Sequence, residues 1–276
     1  MQRSVVIVIV IFGMGCSVNI LKTFSNQTSN EALYVDAQQD LNGADYNGAL
    51  SKIGQMTGAY ATSTKVLELK ASAYGGLCGF QFITFVQSFA GIGATRLFPF
   101  LLGAFDASVS TDIDNCVLAQ NTLLSIGAPA SLSADDNTFL AMIAFAKIGN
   151  ILSYYADKTH TGTATAGFDP CTTGGSRGAP GNLITDADAR EIGTGISLAL
   201  AGLQAVAGSV QLGSGSLSNI TSICSALPSG SDFCTITDPA AFTANEILGI
   251  RSLVNEDSIM GLGSNCHGDV IHCACP

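Results

Sequence analysis

Apolar residues recur at helical spacing from Glu31 onward, and this periodicity constrains the fold more than any other feature of the chain. Two helix-length segments are separated by the turn sequence Gly43-Ala44-Asp45. Each segment has one apolar face, made of Leu33, Ala37 and Leu41 in the first and of Ala49, Ile53 and Met56 in the second. Because such faces must be buried, the pattern predicts an antiparallel helical hairpin.

This hairpin resembles a tetratricopeptide repeat (TPR), a helix-turn-helix unit of about 34 residues. Ala37, Tyr46 and Ala49 match the motif, whereas Leu33 stands in place of its usual tryptophan. One repeat length further on, the pattern returns in Leu67, Ala71, Tyr74 and Gly79, with the second helix expected over residues 80–90. The resemblance implies TPR-like hairpins stacked as an α-solenoid or an irregular bundle, clearest over residues 31–90. Two ordinary helical hairpins are the alternative.

Helical patterns continue beyond this region, so we expect an all-α protein with a single domain over residues 31–276 and disulfide-tethered loops. Helices are predicted over 107–124, 134–155, 186–212 and 243–255, the last beginning with a capping box of Thr243 and Glu246. Between them lie a turn or kinked segment with Pro99 at 96–105, loops at 158–182 and 214–239, and a cysteine-rich tail at 261–276.

Residues 192–212 carry no charged side chain, so a membrane-spanning helix must be weighed against a buried one. Gln204, Gln211 and several glycine, serine and threonine residues lower the hydrophobicity of this segment. We therefore expect a helix buried in the protein core.

The first fifteen residues have the composition of a bacterial export signal. Arg3 supplies the positive charge, and Val5 to Phe12 supply an apolar core too short to cross a bilayer, which takes roughly 20 residues. Gly15 and Cys16 resemble the lipobox of bacterial lipoproteins, in which the cysteine after the cleavage site carries the lipid. The resemblance implies removal of residues 1–15 and lipidation of Cys16.

Gly13 departs from the lipobox, because a branched aliphatic residue is usual three positions before the cysteine. Secretion without a lipid is the alternative. Ser17 follows Cys16 where an aspartate would resemble an inner-membrane retention signal, so we expect an outer-membrane location, either periplasmic or surface-exposed. Residues 16–30 are polar and are predicted to be a tether.

Eight of the nine cysteines remain when Cys16 is set aside, and an even number in an exported chain favours disulfides. They are Cys78, Cys116, Cys171, Cys224, Cys234, Cys266, Cys273 and Cys275. Proximity suggests a bond between Cys78 and Cys116, one bond among Cys171, Cys224 and Cys234, and bonds involving the last three. Zinc or copper in the tail, with His267 and His272 as further ligands, is the alternative, but the spacing and an oxidising compartment favour disulfides.

Composition narrows the classes of partner. A net charge of -10 with only 11 lysines and arginines excludes electrostatic binding of a polyphosphate backbone, so we expect no nucleic-acid partner. Paired acids at Asp112 and Asp114, at Asp135 and Asp136, and at Asp186, Asp188 and Glu191 are explained by helix N-termini. They lack the glycine and distal glutamate of a calcium loop.

The sequence offers only a weak motif for catalysis. Gly174 to Gly178 matches the nucleophile elbow of hydrolases, but no strand precedes Ser176, and only His160 lies in the same loop. We therefore predict no enzyme activity, no catalytic residue, no cofactor and no metal.

These features together predict a helical scaffold or adaptor for another envelope protein. Tyr34, Tyr46 and Tyr74 are candidates for a partner groove, with packing as the alternative role. A homo-oligomer is compatible with the sequence. The alternative is an accessory lipoprotein that binds a small apolar ligand or lipid, similar to the T-component lipoproteins of tripartite periplasmic transporters. A third interpretation places residues 192–212 in a membrane-embedded assembly.

Overall fold

The computed structural model describes residues 28–90, 95–177, 183–205, 227, 230–258, 260–263 and 273–275. These residues form ten α-helices and two short 3-10 helices, and they contain no β-strand beyond one isolated bridge between Gly174 and Thr185. The predicted all-α fold is therefore confirmed for this part of the chain. The expected signal peptide, Cys16 and nearly all of the tether lie outside the described residues.

The helices follow one another with short connections in the first half of the chain and longer ones in the second. They are α1 (Asn30–Asn42), α2 (Tyr46–Gly54), α3 (Gly58–Ala61), α4 (Thr64–Leu77), α5 (Phe82–Ala90), α6 (Leu97–Ala104), α7 (Ser110–Leu124), α8 (Ala134–Ala156), α9 (Asp186–Ala205) and α10 (Ala244–Asn255). The 3-10 helices cover Pro129–Ser131 and Pro239–Ala241.

Helices α1 and α2 form the predicted hairpin. Ser29 accepts a hydrogen bond from the Ala32 N–H at 3.2 Å, and Asp45 accepts one from the Gly48 N–H at 2.9 Å, so each helix begins at a side-chain cap. The chain reverses at Ala44, whose φ is 59°. The apolar faces meet in a small core that we call the N-terminal cluster, composed of Leu33, Ala37, Ala49, Ile53, Met56, Val66, Leu69 and Ala73.

Helix α4 joins the N-terminal cluster to the main core. Its Leu69 and Ala73 belong to the cluster, whereas Ala71 belongs to the main core. Within the described residues its most extensive interface is with α7, not with α5, the helix expected to complete the second hairpin. A disulfide between Cys78 and Cys116, the pairing that proximity in the sequence suggested, connects the end of α4 to α7.

Helix α8 lies at the centre of the main core, and 18 of its 23 residues are buried. It packs against α6, α7 and α9, which come from separate parts of the chain, so this region is an irregular helical bundle. Glycine allows the closest contacts. A Cβ at Gly149 would lie 2.8 Å from the Leu101 carbonyl oxygen of α6, and a Cβ at Gly202 would lie 2.6 Å from the Asn137 carbonyl oxygen.

Helix α8 is also the one described helix that is long and apolar enough to cross a membrane, and 89% of its most apolar stretch is buried inside the protein. The sequence had raised this question for residues 192–212 instead. In the structure α9 ends at Ala205, and residues 206–212 lie outside the described part. Ile192, Leu198 and Leu203 of α9 are buried in the main core, as the interpretation of a buried helix requires.

The segment around Pro99 is a short helix, α6, rather than a turn. Pro99 occupies the first turn of this helix, where its missing N–H breaks no intrahelical hydrogen bond. The predicted helices at 107–124, 134–155 and 243–255 correspond to α7, α8 and α10. The capping box of Thr243 and Glu246 is present at the start of α10.

The long loop after α8 is held to the core at several points. Asp157 accepts hydrogen bonds from the N–H groups of Thr161 and Gly162. Arg251 of α10 is buried and donates to the carbonyl oxygens of Pro170 and Ile184. Cys171, which the sequence placed among three cysteines sharing one bond, is instead paired with Cys275 in the C-terminal tail.

Candidate functional site

A cleft of about 640 Å³ opens between α7 and α9, and we call it the α7–α9 cleft. It is lined by residues of α7, of the first two turns of α9, of the loop after α8 and of the 3-10 helix at Pro239–Ala241. The residues that line it are Asp114, Val117, Leu118, Arg177, Ala187, Asp188, Arg190, Glu191, Pro239 and Ala240.

Arg177 of the loop connects the two acidic side chains on opposite walls. Its guanidinium donates from Nε to Asp188 Oδ2 at 3.1 Å and from Nη2 to Asp188 Oδ1, and Nη1 donates to Asp114 Oδ1. The fork geometry of arginine suits this bidentate contact with a carboxylate. The hydrogen bond and charge of Asp188 raise the pKa of Arg177 above its ordinary value, so the guanidinium stays charged.

Asp188 is buried and receives further hydrogen bonds from below the cleft. Tyr155 of α8 donates its hydroxyl proton to Asp188 Oδ2 at 2.6 Å, and Thr185 donates to the same oxygen at 2.9 Å. Burial, together with the hydrogen bond to Asp188, raises the pKa of Tyr155. The phenol therefore remains a neutral donor, and both oxygens of Asp188 are occupied by donors that hold it in place.

Glu191 is paired in the same way on the second turn of α9. Its Oε2 accepts a hydrogen bond from Lys147 Nζ at 2.6 Å, and Lys147 also donates to Thr194 Oγ1 at 2.8 Å. Lys147 is fully buried in the middle of α8. Burial lowers the pKa of Lys147, and the charge of Glu191 opposes that change.

Arg190 differs from these groups because its side chain makes no ion pair or hydrogen bond within the described part of the chain. It lines the cleft and lies between Asp188 and Glu191 in sequence. Its Nε is buried and unsatisfied. A buried donor without an acceptor costs about 1 to 3 kcal/mol.

The remaining wall of the cleft is apolar. Val117 and Leu118 of α7 line the cleft together with Pro239 and Ala240, and Leu118 keeps 43% of its surface exposed. Among the described residues, the cleft thus combines one unpaired cation with an apolar surface. Each of its three acids is bound to a cation.

The three tyrosines predicted to be candidates for a partner groove each pack against a different neighbour. Tyr34 packs edge-on against Tyr60, with Lys65 above both rings. Tyr46 lies at the other end of α4, where its ring occupies the space beside Gly76. Since Lys65 and Gly76 are separated by about 16 Å along the helix, Tyr34 and Tyr46 lie near opposite ends of α4. Tyr74 packs against the main core.

The six cysteines in the described residues are all disulfide-bonded, namely Cys78, Cys116, Cys171, Cys234, Cys273 and Cys275. Cys224, Cys266 and the histidines of the tail lie outside the described residues, as does Cys16. Among the described residues no group of three or more potential ligands could hold a metal ion.

The segment that matched the nucleophile elbow has a structural role in its described part, residues 174–177. Gly174 forms the bridge to Thr185, and Arg177 is the ion-paired residue of the cleft. His160 Nδ1 lies 2.7 Å from the carbonyl oxygen of Asp106, far along the chain. Of the acids assigned to helix starts, Asp114 and Glu191 lie in second turns and the others lie in first turns. The sequence did not indicate that Asp188 and Glu191 would also be ion-paired.

Comparison with family models, with curated proteins and with solved structures finds no match to this chain.

Proposed function

We propose that the protein is a non-enzymatic, lipid-anchored component of the bacterial cell envelope that acts as a helical adaptor for another envelope protein. The export segment and Cys16 support the location at the outer membrane. The disulfides Cys78–Cys116 and Cys171–Cys275 fit an oxidising compartment. We also propose that residues 31–90 have a TPR-like arrangement. Self-association of the protein is compatible with the adaptor function.

One observation carries the proposal. In the α7–α9 cleft Asp114, Asp188 and Glu191 are each paired with a basic side chain, while Arg190 and the apolar wall are left available. Paired acids hold the cleft in one shape but do not exchange protons with a substrate. A rigid cleft with an apolar wall and an available cation supports recognition of a partner.

A second candidate function is an accessory protein for a small apolar ligand or lipid. The cleft volume of about 640 Å³ favours this candidate, because it falls within the range of small-molecule sites. However, such sites enclose most of their ligand. The exposed rim at Leu118 and Asp114 suits a protein segment that continues past the cleft, so we favour the adaptor.

The adaptor can be tested by photo-crosslinking in living cells. A photoreactive amino acid is placed at Leu118 in the cleft or, as a control, at Ile83 of α5, which is 71% exposed and lies outside the cleft. We expect one crosslinked protein species from Leu118 and none from Ile83, and we expect its yield to fall in a Cys16→Ser background. Equal products from both positions, or no product from Leu118, would contradict the adaptor function.

A further inference from the structure

We infer that the α7–α9 cleft binds a partner protein through a single aspartate or glutamate side chain flanked by apolar residues, and that Arg190 is the residue that binds the carboxylate. This inference rests on the proposed adaptor function and specifies the chemistry of its partner. It follows from the charges of the cleft, from its apolar wall and from the charge of the whole chain.

The charges of the cleft leave one position for an incoming anion. Arg177 is held by Asp114 and Asp188, and Lys147 is held by Glu191. Arg190 has no such partner among the residues that the structure describes, and its Nε lacks an acceptor there. A carboxylate matches the fork of donors on a guanidinium.

The nearby acids do not prevent this contact. Each of the three acids lining the cleft shares its charge with a cation at hydrogen-bonding distance. The paired side chains carry two positive charges, on Arg177 and Lys147, and three negative charges, on the acids. Their sum is minus one, and the positive charge of Arg190 cancels it. A bound carboxylate therefore meets a locally neutral site that contains one cation, Arg190, unpaired among the described residues.

The apolar wall determines what surrounds the carboxylate. Leu118, Val117 and Pro239 bury apolar surface favourably only when the bound segment is itself apolar next to its acid. Leu118 and Asp114 of the lining are exposed, which leaves room for a bound polypeptide to continue past the cleft. These features favour a chain segment over a compact small molecule.

The net charge of -10 restricts the partner further. A strongly acidic partner would be repelled at long range. We therefore expect an isolated carboxylate within an otherwise uncharged segment, rather than an acidic run.

A matched pair of peptides tests the inference on the mature lipoprotein purified in detergent. The probes are N-acetyl-Leu-Asp-Leu-amide and N-acetyl-Leu-Asn-Leu-amide, which differ only in the carboxylate. Binding is followed through the nitrogen-15 resonance of Arg190 Nε and through backbone resonances of α7 and α9. We expect the aspartate peptide to bind at least about tenfold more tightly than the asparagine peptide, since hydrogen bonds to charged groups exceed neutral ones by this order.

Three variants identify the residue. Arg190→Gln should weaken binding of the aspartate peptide at least about tenfold, and Arg190→Lys should weaken it less because the charge is kept. Arg96→Gln is the control, since Arg96 is also half-buried with an unsatisfied guanidinium nitrogen but lies outside the cleft. It should leave binding unchanged. Circular dichroism verifies that each variant is folded.

Three results would overturn the inference: equal binding of the two peptides, equal losses in Arg190→Gln and Arg96→Gln, or tighter binding of hexanoate than of the aspartate peptide. The last result would assign the cleft to a small carboxylic acid. Failure of this inference is separable from failure of the adaptor function. If Leu118 still crosslinks one protein in cells while the peptides do not bind, the adaptor stands and only the carboxylate recognition is wrong.

Discussion

Lys147 illustrates how the molecule tolerates a charge at its centre. The ammonium group is fully buried between α8 and α9, and it is stabilised there by Glu191 and Thr194. Removing one member of a buried pair leaves an uncompensated charge, whereas replacing both by apolar side chains of similar size is often tolerated. We therefore expect the Lys147–Glu191 pair to add little net stability relative to two apolar side chains of similar size.

Glu191→Gln should destabilise the protein by about 3 to 5 kcal/mol at pH 7, because Lys147 loses its counter-charge. The folded-state pKa of Lys147 is already below its ordinary value of 10.5, and loss of Glu191 lowers it further. Lys147 then binds its proton more tightly in the unfolded chain than in the folded one. The free energy of unfolding of the variant therefore rises as the pH increases from the folded-state pKa of Lys147 toward 10.5. Urea unfolding at about pH 7 and about pH 10 should show the gap to the wild type narrowing.

The double variant Lys147→Met with Glu191→Leu is the matched control. It removes both charges and should be much closer to the wild type than Glu191→Gln near neutral pH. A gap that stays constant between the two pH values, or a double variant as unstable as the single one, would show that the charge of Lys147 is not the cause.

At the scale of single residues the sequence predicts helix caps well and ion pairs poorly. The capping box of Thr243 and Glu246 is local, so its two residues suffice to identify it. Lys147, in contrast, is the one basic residue in a long apolar helix, which indicates that a partner is needed but not which one. Glu191 lies 44 positions away, and only the packing of α8 on α9 brings it close.

At the scale of helices, the spacing of glycine residues sets how closely two helices approach. Gly195 and Gly202 lie on the face of α9 toward α8, and a Cβ at Gly195 would be 2.8 Å from Ile148 Cγ1. The positions of α7, α8 and α10 were predictable from local apolar periodicity. The pairing of α4 with α7 was not, because it depends on contacts between segments distant in sequence.

Gly202→Ala should destabilise the protein by about 1 to 3 kcal/mol, because its Cβ would lie 2.6 Å from the Asn137 carbonyl oxygen and would force α8 and α9 apart. Gly54→Ala is the control. This glycine ends α2, and the position that an added Cβ would take has no other atom within 4 Å, so alanine should stabilise the helix by about 0.5 to 1 kcal/mol. Thermal unfolding distinguishes the two, and a shift of the same sign in both would contradict close packing at Gly202.

At the scale of the whole molecule, two cores of unequal size share α4. The N-terminal cluster contains eight buried residues, and no cysteine occurs between Cys16 and Cys78 to restrain it. The main core is larger and is crossed by the disulfides Cys78–Cys116 and Cys171–Cys275. Buried apolar contacts determine the free energy of local opening, so the two cores should not open together.

Native-state hydrogen exchange with increasing urea should detect this difference. The amides of α1 and α2 should exchange through a partial opening of lower free energy than the opening that exposes α8. The amides of α9 are the control and should follow α8, since these two helices form the most extensive interface in the described residues. One common opening free energy for α1, α2 and α8 would show a single cooperative unit instead.

We propose that this is an exported, lipid-anchored helical protein held by disulfides, and the intact mass of the protein from its native membranes is the measurement that checks this proposal. We expect loss of residues 1–15, added acyl chains that disappear in Cys16→Ser, and a gain of eight hydrogens on reduction, from the nine cysteines less Cys16. An uncleaved chain without acyl groups and with free thiols would show that the protein is not an exported lipoprotein and would remove the basis for an envelope partner.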